Sequence, residues 1–321
     1  MVVGYGVQKK RDIVGAVEQI SSKDIADRIG SYQNVSRSLQ GAIPGLTVTF
    51  SDGKPTRGAS FQVRGANSIG AGGSALILVD GVETDITTVN SEDIESISVL
   101  KDASSTAVYG SRGTFGVILI TTKRPEKGQM KITYNGSYNF YKRTVTPELV
   151  DNGYDWTTSY LEAYTNSYAT DPTNINNVFR FSRAWYSELE RRNSDPSYEK
   201  WRINPADNRY EYFGNTNWYK IFYKDYTTGH QHNLSITGGT DKASYYVSGR
   251  FFHQDGIYNA GDERYNQYNV LAKGTVQATK WLRVENTTSF MSRFSHQPTL
   301  TTGGQSFTVT PTRMMNHQGF P

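Results

Sequence analysis

His230 and His232 stand two apart in an extended segment, which puts both imidazoles on one face and could begin a metal site. No third ligand lies near them in sequence, so two neutral, exposed histidines are the favoured reading. Glu188 and Glu190 bring two carboxylates close, as a glycosidase would, but they fall on a charged helix face and suggest no acid–base dyad. Gly70-Ala71-Gly72-Gly73-Ser74-Ala75 fits the spacing of a dinucleotide fingerprint. It precedes a strand instead of joining strand to helix, so a phosphate would find no helix N-terminus. There is no Walker A sequence. The 321 residues contain no cysteine, which excludes thiol catalysis, disulfide scaffolds and Cys-ligated zinc. No catalytic constellation emerges: the chain reads as a non-enzyme that calls for no cofactor and no metal.

Two aromatic rows remain. Tyr160, Tyr164 and Tyr168 recur every four residues, as do Phe181, Trp185 and Leu189. Rows at that spacing read as packing faces of short helices before they read as ligand-stacking platforms. They lie in a segment from Thr144 to about Thr228, flanked by strands of a different character. From Gln129 onward the pattern alternates: Ile132, Tyr134, Gly136, Tyr138 and Phe140 against Lys131, Thr133, Asn135, Ser137 and Asn139. Leu234 and Ile236 alternate with Asn233, Ser235 and Thr237. The pattern recurs from Ala243 to Phe251 and from Tyr268 to Val276, and less cleanly from Leu282 to Phe290. Strands of 10–14 residues exceed the ~5–6 usual in soluble sheets. Alternating strands joined by short turns and long loops suit a transmembrane β-barrel.

Composition bounds the alternatives. A net charge of +4 is too weak for a nucleic-acid binder. No stretch approaches the ~18 consecutive apolar residues of a transmembrane helix. A mean hydropathy of −0.59, with 22 Tyr, 14 Phe and 5 Trp, suits a barrel with aromatic girdles, although composition alone favours an aromatic-rich soluble β-protein. Met1 runs directly into Val2-Val3-Gly4-Tyr5-Gly6 with no signal peptide.

Residues 1–125 are mixed α/β. Ser21-Ser22-Lys23-Asp24 reads as a helix start, and Asn34–Gln40 as a short helix stopped by Gly41 and Pro44. Strands are expected at Leu46–Phe50, Ser60–Arg64 and Ala75–Val79, the last closing into the tight turn Asp80-Gly81. Ser91–Ile94 caps a further helical turn, and the run that begins at Asp93 opens with a short alternating strand. Asp102–Tyr109 reads as a helix ended by Gly110, and Val117–Thr122 as a buried strand.

The run from Asp93 to Gly113, with Lys101-Asp102-Ala103-Ser104-Ser105 and Tyr109-Gly110-Ser111-Arg112-Gly113, resembles the plug domain of TonB-dependent outer-membrane transporters, in the SusC/RagA branch. Four further blocks resemble that family in its order: Val2-Val3-Gly4-Tyr5-Gly6, Leu39–Val48, Phe61-Gln62-Val63-Arg64-Gly65, and Leu78-Val79-Asp80-Gly81-Val82. Gly238-Gly239-Thr240-Asp241 resembles an early periplasmic hairpin of the barrel.

The resemblance implies an α+β plug domain over residues 1–124, followed over 125–321 by the N-terminal strands of an antiparallel transmembrane β-barrel, with a long extracellular loop at about 144–228. About five strands are expected here against about 22 in plugged transporters of this type, which makes the chain a truncated member. It implies TonB-dependent import of oligosaccharides or peptides across the outer membrane of a Gram-negative bacterium of the Bacteroidota. Partners would be TonB with its inner-membrane complex, a SusD-like surface lipoprotein, the glycan or peptide substrate and outer-membrane lipid. Val2, Val3, Gly4 and Tyr5 would be the TonB-box-like segment; Arg64, Gly65, Asp80, Gly81, Lys101, Asp102, Tyr109, Gly110 and Arg112 carry the plug motif. The substrate-binding residues stay unassigned. The alternatives are a siderophore- or cobalamin-type receptor of the same architecture, and a secreted β-rich glycan-binding protein without transport.

Overall fold

The computed structural model describes residues 2–3, 6–7, 17–22, 24, 35–51, 58–63, 74–144, 148–175, 180–259, 261–297, 299–302 and 305–308. Within the chain, Gly4, Tyr5, Arg64, Gly65 and the Gly70–Gly73 stretch lie outside the described residues. Two compact units are formed: residues 1–139, 228–255 and 265–295 make one, and 140–227, 256–264 and 296–321 the other.

The first unit begins with β1 (Val2–Val3) paired antiparallel to β2 (Gly6–Val7). Its N-terminal layer then contains β3 (Val17–Ser21), α1 (Val35–Leu39), β4 (Leu46–Thr49), β5 (Ser60–Val63), β6 (Leu76–Val79), β7 (Val82–Glu83), β8 (Ile94–Leu100), α2 (Ala103–Thr106) and β9 (Val117–Thr122). Local chemistry sets these boundaries. Ser21 and Asp24 exchange side-chain and backbone hydrogen bonds, closing β3 and opening a helical turn at Ser22. Asp80 and Gly81 both take positive φ (49° and 88°), the two-residue hairpin geometry that pairs Val79 with Val82. The side chain of Asp102 accepts from Ser105 N at 2.8 Å and caps α2. The helical run is shorter than Asp102–Tyr109: it tightens to a 3₁₀ turn from Ala107 and kinks at Gly110 (φ 58°, ψ −143°).

Five strands form a mixed sheet in the order β3-β8-β9-β6-β7, parallel only between β6 and β9. One face carries the main core, with Leu39, Ile97, Val99 and Ile118 wholly buried; the other buries Leu76, Leu78, Leu100, Val117 and Leu119 against Tyr109. Each such side chain contributes about 1.5–3 kcal/mol. The alternating character expected of β8 is therefore corrected. Its pattern looks polar on one side because Ser96 and Ser98 stand there, yet both serines are buried with the rest of the strand.

Five long strands follow: β10 (Gly128–Lys142), β13 (Tyr226–Gly239), β14 (Ala243–Asp255), β15 (Arg264–Gln277) and β16 (Arg283–His296). They lie side by side in that order and make a wall. A two-residue period separates the wall's faces. Tyr246, Ser248 and Arg250 are buried on one, while Tyr245 and Val247 are exposed on the other. Among the described residues no helix is long and apolar enough to cross a membrane.

The second unit is built on α3 (Gly153–Tyr168), α4 (Arg183–Ser194), the hairpin of β11 (Trp201–Ile203) and β12 (Tyr210–Tyr212), and α5 (Trp218–Phe222). Asn152 and Ser182 cap α3 and α4. Ile175, Trp185, Leu189 and Phe213 form its core, with Tyr154, Trp156, Tyr160 and Phe181 packed around them. Phe181, Trp185 and Leu189 thus form one packing face. The tyrosine row leaves the core along its length, ending at Tyr168, which is 67% exposed. β17 (Thr299–Thr302) and β18 (Gln305–Thr308) pair as a last hairpin.

Candidate functional site

The site is a polar seam between the N-terminal layer and the inward face of the wall. On the layer's side two 3₁₀ turns, Ile86–Thr88 and Ser91–Asp93, follow β7. Asp85 and Asn90 cap them, accepting from Thr87 N and Glu92 N. The cap of the second turn is Asn90, one residue before the expected Ser91. Short turns of this kind leave backbone carbonyls free to accept from elsewhere, and the wall supplies the donors.

Asn269 Nδ2 donates to Thr88 O at 2.6 Å. Gln267 Nε2 donates to Thr87 O at 3.3 Å, and Arg293 Nη2 to Thr87 Oγ1 at 2.9 Å. Asn90 Nδ2 bridges Asp93 Oδ2 (3.0 Å) and the wall's Asn233 Oδ1 (2.8 Å). The Tyr246 hydroxyl donates to the other Asp93 oxygen at 2.8 Å. Asn135 Nδ2 reaches Glu92 Oε2 at 3.0 Å, and Thr237 Oγ1 accepts from Glu126 N at 3.2 Å. A cavity of about 270 Å³ lies along the seam, lined by Thr88, Asn90, Asp93, Thr122, Asn269 and Ser289 among others. Its lining is mixed, with Val79, Val89, Leu271 and Phe290 beside the polar groups.

Asp80 is the plug-motif residue that reaches this seam. Its turn holds the carboxylate against Thr122, accepting from Thr122 N at 3.0 Å and Thr122 Oγ1 at 2.6 Å. Lys273 of the wall, with a side chain 9% exposed, closes the group. Its Nζ lies 2.9 Å from Asp80 Oδ2 and donates to Thr122 O at 3.2 Å. One ammonium thus ties wall, turn and β9 together.

The other described motif residues serve the layer itself. Lys101 pairs with Glu18 of β3 and donates to Pro44 O, clasping the sheet edge to the connection between α1 and β4. Asp102 caps α2, Tyr109 covers the smaller core, and Arg112 pairs with Glu83 at the surface. Lys273, Gln267, Asn269 and Arg293 were not among the candidates named from the sequence. Their signal is present: polar and cationic residues at the inward positions of strands whose alternate positions carry Tyr268, Val270 and Ala272.

Rings form a band across the wall's outward face. Contacts run from Tyr134 and Tyr138 to His232 and His230, then to Phe251, Tyr268 and Phe294, with centroids 5.1–6.3 Å apart. Cross-strand register adds His253 opposite His230, a third imidazole the sequence did not suggest. His253 is held by Asn266 and Asp255, and among the described residues no group of three or more His, Asp or Glu could hold a metal ion.

In the second unit, Glu188 joins Arg191, Arg192 and Arg202, and Glu190 accepts from the Tyr154 hydroxyl at 3.2 Å. Both carboxylates have structural partners. The Arg183 guanidinium beside Asp171 holds its carboxyl below the usual carboxylate range.

Residues 9–117 match the TonB-dependent Receptor Plug Domain family. Over 290 residues, 88% of this chain, the sequence is 32% identical to TonB-dependent receptor P3 of Formosa agariphila, covering 24% of that protein. Over 153 residues, 44% of this chain, it is 41% identical to TonB-dependent receptor SusC of Bacteroides thetaiotaomicron, covering 15% of it. Among solved structures, the RagAB peptide importer in its open-open state aligns with 92% of this chain and 32% of its own, at a TM-score of 0.68 and 28% identity. The chain spans about a quarter or less of the curated relatives named here.

Proposed function

The chain belongs to the SusC/RagA-like TonB-dependent receptors, and from that premise we propose that it supplies the plug and adjoining wall strands of an outer-membrane nutrient importer. The plug is residues 1–124, the wall strands lie within 125–321, and the insertion at about 144–228 faces the outside. The cargo class is oligosaccharide or peptide, taken up with a SusD-like lipoprotein as lid.

The observation that carries this reading is the polar seam. A plug must close a wide lumen and yet move. Each seam hydrogen bond contributes only about 0.5–1.5 kcal/mol net, because water replaces it when it breaks. The layer's own apolar cores are far costlier to open. A pull therefore loosens the seam before it unravels the layer.

The pull would enter through TonB, pairing as an added strand with Val2-Val3-Gly4-Tyr5. β-branched Val2 and Val3 suit an extended conformation, and β1 and β2 already lie extended in a two-residue pairing. A siderophore-type receptor would share the fold, but the stronger sequence likeness is to SusC and RagAB. A soluble glycan-binding protein is disfavoured by the ring band and the exposed Leu234, Val247 and Val270 on the wall's outward face.

Substituting Val3→Pro in the native gene removes the backbone donor that strand addition needs. Nutrient accumulation should fall to the level of a TonB-deletion strain while outer-membrane abundance stays unchanged. Accumulation that persists in the TonB-deletion strain overturns the reading.

A further inference from the structure

We propose that residues 256–259, the start of the loop after β14, are a strap across α5 that locks the closing helix of the insertion, so that the insertion and this loop open and close as one body.

The helix cannot close its own C-terminus. A helix leaves its last four carbonyls without partners inside it, and many helices turn the chain back to meet them. In α3 the chain does so: Ala169 takes a left-handed φ of 54° and its N–H donates to Thr165 O at 2.8 Å. At the end of α5, Tyr223 is extended (φ −114°, ψ 132°), and its N–H reaches Tyr219 O at 3.0 Å. The carbonyls of Lys220, Ile221 and Phe222 are left over. Asn259 meets all three. Its backbone N–H donates to Phe222 O at 2.8 Å, and its Nδ2 donates to Ile221 O at 3.0 Å and to Lys220 O at 3.3 Å. Three carbonyls around one residue call for three donors, and Asn is the smallest residue whose side chain adds two to its backbone's one.

The strap also lies along the chain beyond the helix. Lys224 N donates to Ile257 O at 2.9 Å, and Tyr223 and Tyr258 form an antiparallel bridge with their rings 5.5 Å apart. Lys224 Nζ adds a bond to Gly256 O at 3.3 Å. At its base the loop is closed by Gly256 N donating to Glu263 O at 2.7 Å. On its other side α5 is bound into the insertion. Asn217, its cap, donates to Asp151 Oδ2 at 3.1 Å. Arg143, paired with Asp225 at 2.7 Å, lies over the Tyr219 ring at 4.7 Å. The limbs by which the chain enters and leaves the insertion therefore meet at α5, and the strap crosses there.

Releasing the strap would free the helix end without touching the core of Ile175, Trp185, Leu189 and Phe213. Few buried groups and several exposed backbone hydrogen bonds mark it as a locally opening element. On the import reading, an insertion already held in one pose loses less conformational entropy when cargo binds.

The test is native-state hydrogen exchange on the receptor purified in detergent, followed at the amides of residues 219–225 and 256–259. Asn259→Asp keeps the size of the side chain, removes both Nδ2 donors and sets a carboxylate against carbonyl oxygens. It should speed exchange over 219–225 about tenfold or more while α3 and α4 keep their protection. Tyr223→Ala, made on the helix side, should in turn speed exchange at 256–259, because coupling between two elements is reciprocal. Exchange within twofold of the parent in either variant, or protection lost equally from α3 and α4, overturns the strap. The measurement needs neither cargo nor TonB, so failure of the strap is distinct from failure of the import reading.

Discussion

Replacing Lys273 with Met keeps the stem and removes the ammonium that joins Asp80, Thr122 and the wall. Two unit charges 2.9 Å apart attract by about 6 kcal/mol at an effective dielectric near 20, and desolvation of the two ions offsets most of that. Asp80 keeps its two hydrogen bonds from Thr122 and is 24% exposed, so water meets the freed carboxylate. The net loss should be about 1–3 kcal/mol, a roughly 5- to 150-fold rise in the fraction of plugs released from the wall. These 321 residues hold no cysteine, so Ser91→Cys, read against the same receptor without it, is the one reporter they carry. Ser91 is 6% exposed, and its hydroxyl finds no hydrogen-bond partner among the described residues. Maleimide labelling in intact outer membranes, at labelling rates slower than reclosure, reads the opening equilibrium. Lys273→Met should raise the labelling rate within that range. Combined with Asp80→Asn it should add little, giving a coupling of about 1–2 kcal/mol. A rate within twofold of the parent, or additive single effects, would refute the reasoning that this ion pair fastens the seam.

Gly116→Ala should destabilise the N-terminal layer by about 2–4 kcal/mol, because the residue has φ +92° and its new Cβ would sit 2.6 Å from Val63 Cγ2. Urea unfolding followed by circular dichroism checks this, and a loss under ~1 kcal/mol would contradict it. Asp102→Ala removes the cap of α2 and should cost about 1 kcal/mol in the same assay; no measurable change would mean that the cap is idle. The pH response of Asp171 has a definite sign. Its folded pKa is lowered by Arg183, so the contribution of the pair is whole above the ordinary value of about 4 and is lost as pH falls through the depressed value. A carboxyl carbon-13 titration should find the Asp171 midpoint below that value and Arg183→Gln should return it there. A midpoint indifferent to Arg183→Gln would sink the assignment.

Much of the fold was legible because its signals are local. Asp80-Gly81 is a turn by its own backbone demands, Ser21–Asp24 closes within four residues, and the wall's two-residue period survives translation into a sheet. What stayed hidden was non-local. β8 looked alternating because Ser96 and Ser98 are polar, yet the strand lies inside the sheet between β3 and β9 and both serines are buried there. Asn135 and Asn233, polar positions of the alternating strands, meet the N-terminal layer at Glu92 and Asn90, and Thr237 meets Glu126 just after it. Lys273 escaped notice because its partner Asp80 is distant in sequence and no spacing rule joins them. His253 stands opposite His230 through strand register alone. Trp201 and Tyr210 likewise share a face of the β11–β12 hairpin only once its strands pair.

The place of β3 in its sheet has a mechanical meaning. Among the described residues it is an edge strand, bonded on one side only, through five residue pairs from Val17–Leu100 to Ser21–Ser96. A load arriving at Val17 along the strand axis would have to shear all five pairs together. The same load applied across the axis would part them one at a time, starting at Leu100, and leave β8 and β9 intact behind it. The direction of tension, more than its size, then decides whether the domain comes away whole or frays from one edge, and the Lys101 contacts to Glu18 and Pro44 sit at the stitch where such fraying would begin.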